Sequence, residues 1–85
     1  MRTFLASVSL LAVVAFPAWA DRAVTAAERS KLESAVAAQG CTGGKMEWDK
    51  GEREFEVDDA RCNDGRTYDL KFHADYTLKS KKPEH

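Results

Sequence analysis

The sequence predicts an α+β fold: one N-terminal helix packed on a three-stranded antiparallel β-meander, with one disulfide. Three observations lead there. Ala26 to Gln39 contains no Gly or Pro; beyond Gly43-Gly44 apolar residues recur at every second position; and the chain holds two cysteines. At 85 residues the chain is one domain at most. Its 13 Lys and Arg against 14 Asp and Glu leave a net charge of −1. That balance excludes a strongly basic nucleic-acid binder, whose affinity rests on clustered cations. A hydrophobic content of 44% beside 32% charged residues argues against a multi-span membrane protein and against a wholly disordered chain.

Residues 1–20 read as a secretory signal peptide. Arg2 gives a positive start, Phe4 to Phe16 form an apolar run of 13 residues, and Ala18-Trp19-Ala20 is a small-residue cleavage site before Asp21. A membrane-spanning helix needs about 20 apolar residues, so no stable membrane insertion is expected once the signal is removed. The mature domain is then residues 21–85, with 12 basic and 14 acidic side chains and a periplasmic or secreted location.

Thr25-Ala26-Ala27-Glu28 is a capping box, with Thr25 as N-cap and Glu28 reaching back from N3. Ala, Leu, Glu, Lys and Arg dominate the next turns, and Gly40 suits the left-handed position that ends a helix. Leu32, Ala35 and Val36 form a narrow apolar stripe, so this helix needs a sheet to lie on. Met46 and Trp48, then Phe55 and Val57, then Tyr68, Leu70 and Phe72 alternate with polar residues, and Tyr76 and Leu78 keep the last parity. Lys50-Gly51-Glu52 and Asn63-Asp64-Gly65 are the turn signals between them. The domain core spans about residues 25–78, and residues 79–85 read as a basic, frayed tail.

Parity constrains the register, because core-facing residues must oppose one another. A two-residue type II′ turn at Gly51-Glu52 places Trp48 opposite Phe55, Met46 opposite Val57 and Cys41 opposite Cys62. A register shifted by two residues is the alternative and offsets the cysteines. A two-residue turn at Asp64-Gly65 places Val57 opposite Phe72 and Asp59 opposite Leu70, and sets Glu56 between Glu47 and His73. In an oxidising compartment Cys41 and Cys62 have only each other, and no C-x-x-C redox motif is present. Closing their 22-residue loop stabilises a small domain by about 3 kcal/mol in the chain-entropy view.

The helix closing in Ala38-Gln39-Gly40, the strand Phe55-Glu56-Val57-Asp58 and the segment Asp64-Gly65-Arg66-Thr67-Tyr68-Asp69-Leu70 together resemble a PepSY domain. The resemblance covers about residues 25–78, and its motifs are short. It implies a non-enzymatic module that binds or restrains another envelope protein, a peptidase among the candidates. The family offers no catalytic residues to carry over, and the cysteine pair is not one of its general features.

The candidate binding face is the sheet side away from the helix, with Glu47, Glu54, Glu56, Asp58 and His73 as its centre and Asp49, Asp75, Lys45 and Lys71 around them. Such a face can dock a basic partner. The alternative is an ion-binding or pH-responsive module that uses the same carboxylates and His73. A solvated face that keeps a small domain soluble is the plainer account. The sequence has no D-x-D-x-D-G calcium loop and no zinc spacing among His73, His85, Cys41 and Cys62. No metal or cofactor is therefore expected. Ser30 and Ser34 belong to the helix and His73 to the far side of the sheet, so no catalytic constellation is expected either.

The exported product should have the mass of residues 21–85 less two hydrogen atoms, and reduction should lower its unfolding free energy by about 2–5 kcal/mol. Intact mass spectrometry and denaturation with and without reductant check both points. A retained leader or two free thiols would refute the reading.

Overall fold

The computed structural model describes residues 21–84. The predicted signal peptide and His85 lie outside the described residues.

The chain enters through a two-residue strand, β1 (Arg22–Ala23), and then the helix α1 (Ala26–Ala38). Thr25 caps α1: its hydroxyl accepts from Glu28 N at 3.1 Å, and its own amide donates to Glu28 Oε1 at 2.9 Å. Glu28 also binds the Arg22 guanidinium at 2.8 and 3.0 Å. This bidentate pair, helped by the Thr25 amide, holds the Glu28 carboxyl down at about 2. One carboxylate thus caps the helix and fastens β1 to it. Gln39 is the C-cap, and Gly40 follows at φ 74°.

Five further strands follow: β2 (Cys41–Thr42), β3 (Lys45–Asp49), β4 (Glu54–Cys62), β5 (Thr67–His73) and β6 (Leu78–Pro83). All pair antiparallel in the order β1-β3-β4-β5-β6, with β2 also on β4. This corrects the expected three-stranded meander: the sheet has six strands, and the helix is not the N-terminal element because β1 precedes it and pairs with Glu47 and Trp48 of β3. Arg22-Ala23 is too short to show an alternation in sequence. The expected frayed tail is β6, whose Leu70–Lys81 and Lys71–Ser80 pairings make β5 an interior strand.

β2 and β3 keep one register on β4. Cys41 faces Cys62, Met46 faces Val57 and Trp48 faces Phe55, and the two cysteines are bridged. Gly44 joins β2 to β3 at φ 100°, where an added Cβ would lie 2.6 Å from Val57 Cγ1 and 3.0 Å from the Asp58 carbonyl oxygen. Only glycine lets the backbone pass there. The turn after β3 is not the two-residue type II′ turn expected at Gly51-Glu52. It spans Lys50 to Arg53, with Arg53 at φ 56° and Asp49 Oδ1 accepting the Gly51 and Glu52 amides at 2.9 and 3.1 Å.

The β4–β5 register also differs from expectation. Val57 faces Leu70 and Phe55 faces Phe72, rather than Val57 facing Phe72. The turn closes through Gly65 N to Cys62 O and Cys62 N to Arg66 O, a three-residue loop with Gly65 at φ 83°. An odd loop reverses side-chain parity. A bulge between Val57 and Ala60, with Asp59 at φ 60°, reverses it again. The next hairpin repeats the device: Tyr76 N bonds His73 O, His73 N bonds Thr77 O, and Tyr76 takes the left-handed position at φ 70°. The expected continuation of strand parity through Tyr76 is therefore interrupted by a turn.

Leu32 and Val36 lie on a core of Cys41, Met46, Phe55, Val57, Ala60, Leu70 and Phe72. Ala35, Trp48 and Tyr68, also expected inside, flank this core half-buried, while Ala60 and Cys41 were not expected in it. Phe55 is 3% exposed, with the Trp48 ring edge-on at 4.6 Å and the Tyr76 ring stacked at 5.0 Å. Phe55→Ala should lower stability by about 3–5 kcal/mol, through lost burial and the cavity left between two rings. Urea denaturation measures it, and a loss below about 1 kcal/mol would contradict this packing.

Candidate functional site

Because Phe55 and Val57 face α1, their β4 neighbours Glu54, Glu56 and Asp58 face the other way. The register sets them in rows across the sheet. Ala23, Glu47, Glu56, Lys71 and Ser80 form one row; Asp49, Glu54 and His73 form the next; Lys45 stands beside Asp58. The predicted Glu47–Glu56 neighbours are thus present. The predicted Glu56–His73 pair is not: Lys71 stands opposite Glu56, and exposed His73 stands opposite Glu54, because of the register change at Asp59.

Two triads share Glu56. Carboxylate oxygens of Asp21, Glu47 and Glu56 lie within 4.8 Å of one another, and so do those of Asp49, Glu54 and Glu56. Partial burial and a hydrogen bond to Asp49 push the Glu56 carboxyl up to about 7. Asp49 moves the other way, because the Glu52 and Gly51 amides stabilise its anion. Glu56 therefore holds its proton up to about pH 7, beside an Asp49 that ionises at lower pH. Burial, with Asp69 and Glu47 nearby, also raises Asp58.

Glu54 departs most from expectation. It is not a surface carboxylate but is 1% exposed. Lys79 of β6 donates to Oε1 at 2.6 Å, and Lys71 Nζ stands 3.5 Å from Oε2. Oε2 is buried and has no hydrogen-bond partner. Nothing in Leu78-Lys79-Ser80-Lys81-Lys82 alternates in hydrophobicity, so the sequence carries no signal that Lys79 belongs to a strand.

A third triad, Asp59, Asp69 and Glu84, gathers at the bulge, where its hydrogen bonds to Asp59 and Asp69 raise the Glu84 carboxyl to about 7. On the helix side, a groove of about 250 Å³ lies among Val36, Ala37, Cys41 and Met46, with Glu33 and Thr42 at its rim. Among the described residues no helix is long and apolar enough to cross a membrane. The disulfide fits an exported protein. Compared with protein-family models, with curated proteins and with solved structures, the chain matches none.

The raised Glu56 carboxyl fixes a pH dependence. The folded state holds this proton more tightly than the unfolded chain, whose value is near 4.5. Its contribution to stability is therefore full below pH 4.5 and is lost as pH rises toward about 7. Asp49, held below 3.8, titrates outside that window. Glu56→Gln, which keeps the neutral form, should match the wild type near pH 4.5 and exceed its stability above pH 7. Urea midpoints measured in EDTA across that range test this, and parallel profiles would contradict it.

Proposed function

We propose that the protein is a non-enzymatic, exported binding module whose acidic sheet face captures a basic segment of another envelope protein, with a peptidase as the candidate that the PepSY resemblance favours. The observation that carries this reading is the convergence of Asp21, Glu47, Asp49, Glu54 and Glu56 from three parts of the chain onto the sheet face that α1 leaves open. Packing alone does not call for five carboxylates there. Lys71 and Lys79 are directed at Glu54 and Lys45 at Glu47, whereas Glu56, its carboxyl raised to about 7, has no ion pair among the described residues. A partner's Lys or Arg would supply that charge, and the field of the face would speed its approach.

In a three-stranded meander the last strand, Arg66 to Leu78, would be a free edge; β6 covers β5, so strand addition there is not part of the reading. β6 itself is guarded by Lys79, Lys81, Lys82 and Pro83. Glu54→Lys would bury a cation against Lys79 and Lys71 and is not a mild surface change. The informative variant is Glu47→Lys with Glu56→Lys.

That double variant should fold, keep its disulfide and lose crosslinking to the partner in the exporting cell, and the wild-type complex should weaken with added salt. Circular dichroism and crosslink yield are the measurements. A salt-insensitive crosslink that survives the double reversal would leave the face as a solubility feature only.

A further inference from the structure

We propose that β2 is a redox-operated strap. A dithiol reductant opens the Cys41–Cys62 bridge, releasing residues 40–44 from β4 and exposing the groove beside α1, while the rest of the sheet stays folded. Three observations carry it. First, β2 has two residues, and besides the bridged pair it holds β4 through one pairing, Thr42 with Arg61. A ladder that short does not hold by itself, so the bridge is what keeps the strap down. Second, glycines stand at both of its ends, Gly40 at φ 74° and Gly43 at φ 72°, and an added Cβ at Gly43 would meet nothing within 4 Å. The two glycines can act as hinges because they change φ at little steric cost. Third, Cys41 is 2% exposed and lines the groove with Val36, Ala37 and Met46, so the strap forms one wall of it.

The two sulfurs are not equivalent toward a reductant. Cys41 belongs to the core, whereas Cys62, at the end of β4, is half-buried and is the sulfur that a thiolate reaches first. Attack there forms a mixed disulfide at Cys62 and expels Cys41 as a thiolate, which takes up a proton. The second thiol of the reductant then attacks its own sulfur in that mixed disulfide. The reductant leaves as an intramolecular disulfide, and Cys62 is freed as a thiol. Two electrons and two protons pass from the dithiol to the protein. The strap then keeps only the Thr42 pairing and the Asn63 amide, which donates to the Gly40 carbonyl at 2.8 Å. These two contacts open together once the bridge is gone. β3 keeps its five pairings with β4, and β5 its own, so the sheet over Val57, Leu70 and Phe72 does not depend on the strap.

The test is amide hydrogen exchange of the disulfide-intact protein before and after reduction with dithiothreitol, a soluble dithiol. The Asn63 amide reports the strap, and the amides of Val57 and Leu70 report the sheet. In the reduced protein Asn63 should exchange within about tenfold of an unfolded chain, while Val57 and Leu70 stay at least about a hundredfold protected. Reoxidation should restore Asn63. The double variant Cys41→Ala, Cys62→Ala should show the same local loss without reductant and no response to dithiothreitol. With glutathione, a monothiol that stops at the mixed disulfide, peptide mapping should place the adduct on Cys62. Asn63 protection retained after reduction, loss of all protection together, or an adduct on Cys41 would overturn the proposal.

Discussion

The structure depends on β4 keeping its apolar side toward α1 for its whole length while pairing with strands of different register on its two sides. On one side β2 and β3 share a single register, fixed where Cys41 is bridged to Cys62. On the other, the three-residue loop Asn63 to Gly65 offsets β5 by an odd step. Left alone, that offset would turn Tyr68, Leu70 and Phe72 to solvent and Lys71 and His73 into the core. Asp59, at φ 60°, absorbs the step by bulging out of the ladder. Ala60 thereby comes inward to pack with Val57 and Cys41. A left-handed non-glycine residue costs about 1–2 kcal/mol, and burial of Leu70 and Phe72 outweighs it.

The acidic face is the consequence of that arrangement. Once the odd positions of β3 and the first half of β4 are assigned to solvent or core by the disulfide-linked register, Glu47, Asp49, Glu54 and Glu56 have no choice of side. Their mutual repulsion is relieved unevenly. Glu54 receives Lys79 and the nearby Lys71, Asp49 receives two amides, and Glu56 receives a proton. The face is thus graded: Lys79 and Lys71 close on buried Glu54 at the β5–β6 side, while toward β1 Glu47 has the exposed Lys45 at 3.6 Å. Recognition chemistry belongs at the exposed, loosely paired end, because an exposed ion pair contributes little and is readily exchanged for another.

Much of this was legible in the sequence where a local rule and a long-range one coincided. Thr25 and Glu28 announce the helix start, Gly40 its end, and parity with the cysteines gives the β2–β3 pairing on β4. The failures share a physical cause. Arg22-Ala23 carries too few residues for a period, and β6 consists of Lys, Ser and Pro because it is an edge whose stability comes from pairing with β5. The bulge at Asp59 and the turn at Tyr76 use left-handed residues that are not glycine, so neither shows a turn signal. Tyr76 takes that backbone because its ring stacks on Phe55 at 5.0 Å while Asp75 closes the turn onto Thr77. The site was read as a list of carboxylates on the right face. Its grading, and the burial of Glu54, follow from β6 and could not be read without it.

β6 also decides how the sheet can be approached. It shields β5, so the last pairing edge carries Lys79, Lys81 and Lys82 and ends in Pro83, which has no amide to donate. Lys81 lies over the Tyr68 ring at 4.8 Å and Lys79 is committed to Glu54, so the strand is fastened by side chains as well as by its ladder. At the opposite edge β1 covers Glu47 and Trp48, and Arg22 holds it to Glu28 of the helix. Both edges therefore resist strand addition. A ligand of this domain meets side chains rather than open backbone, and on the face away from α1 the side chains it meets first are carboxylates.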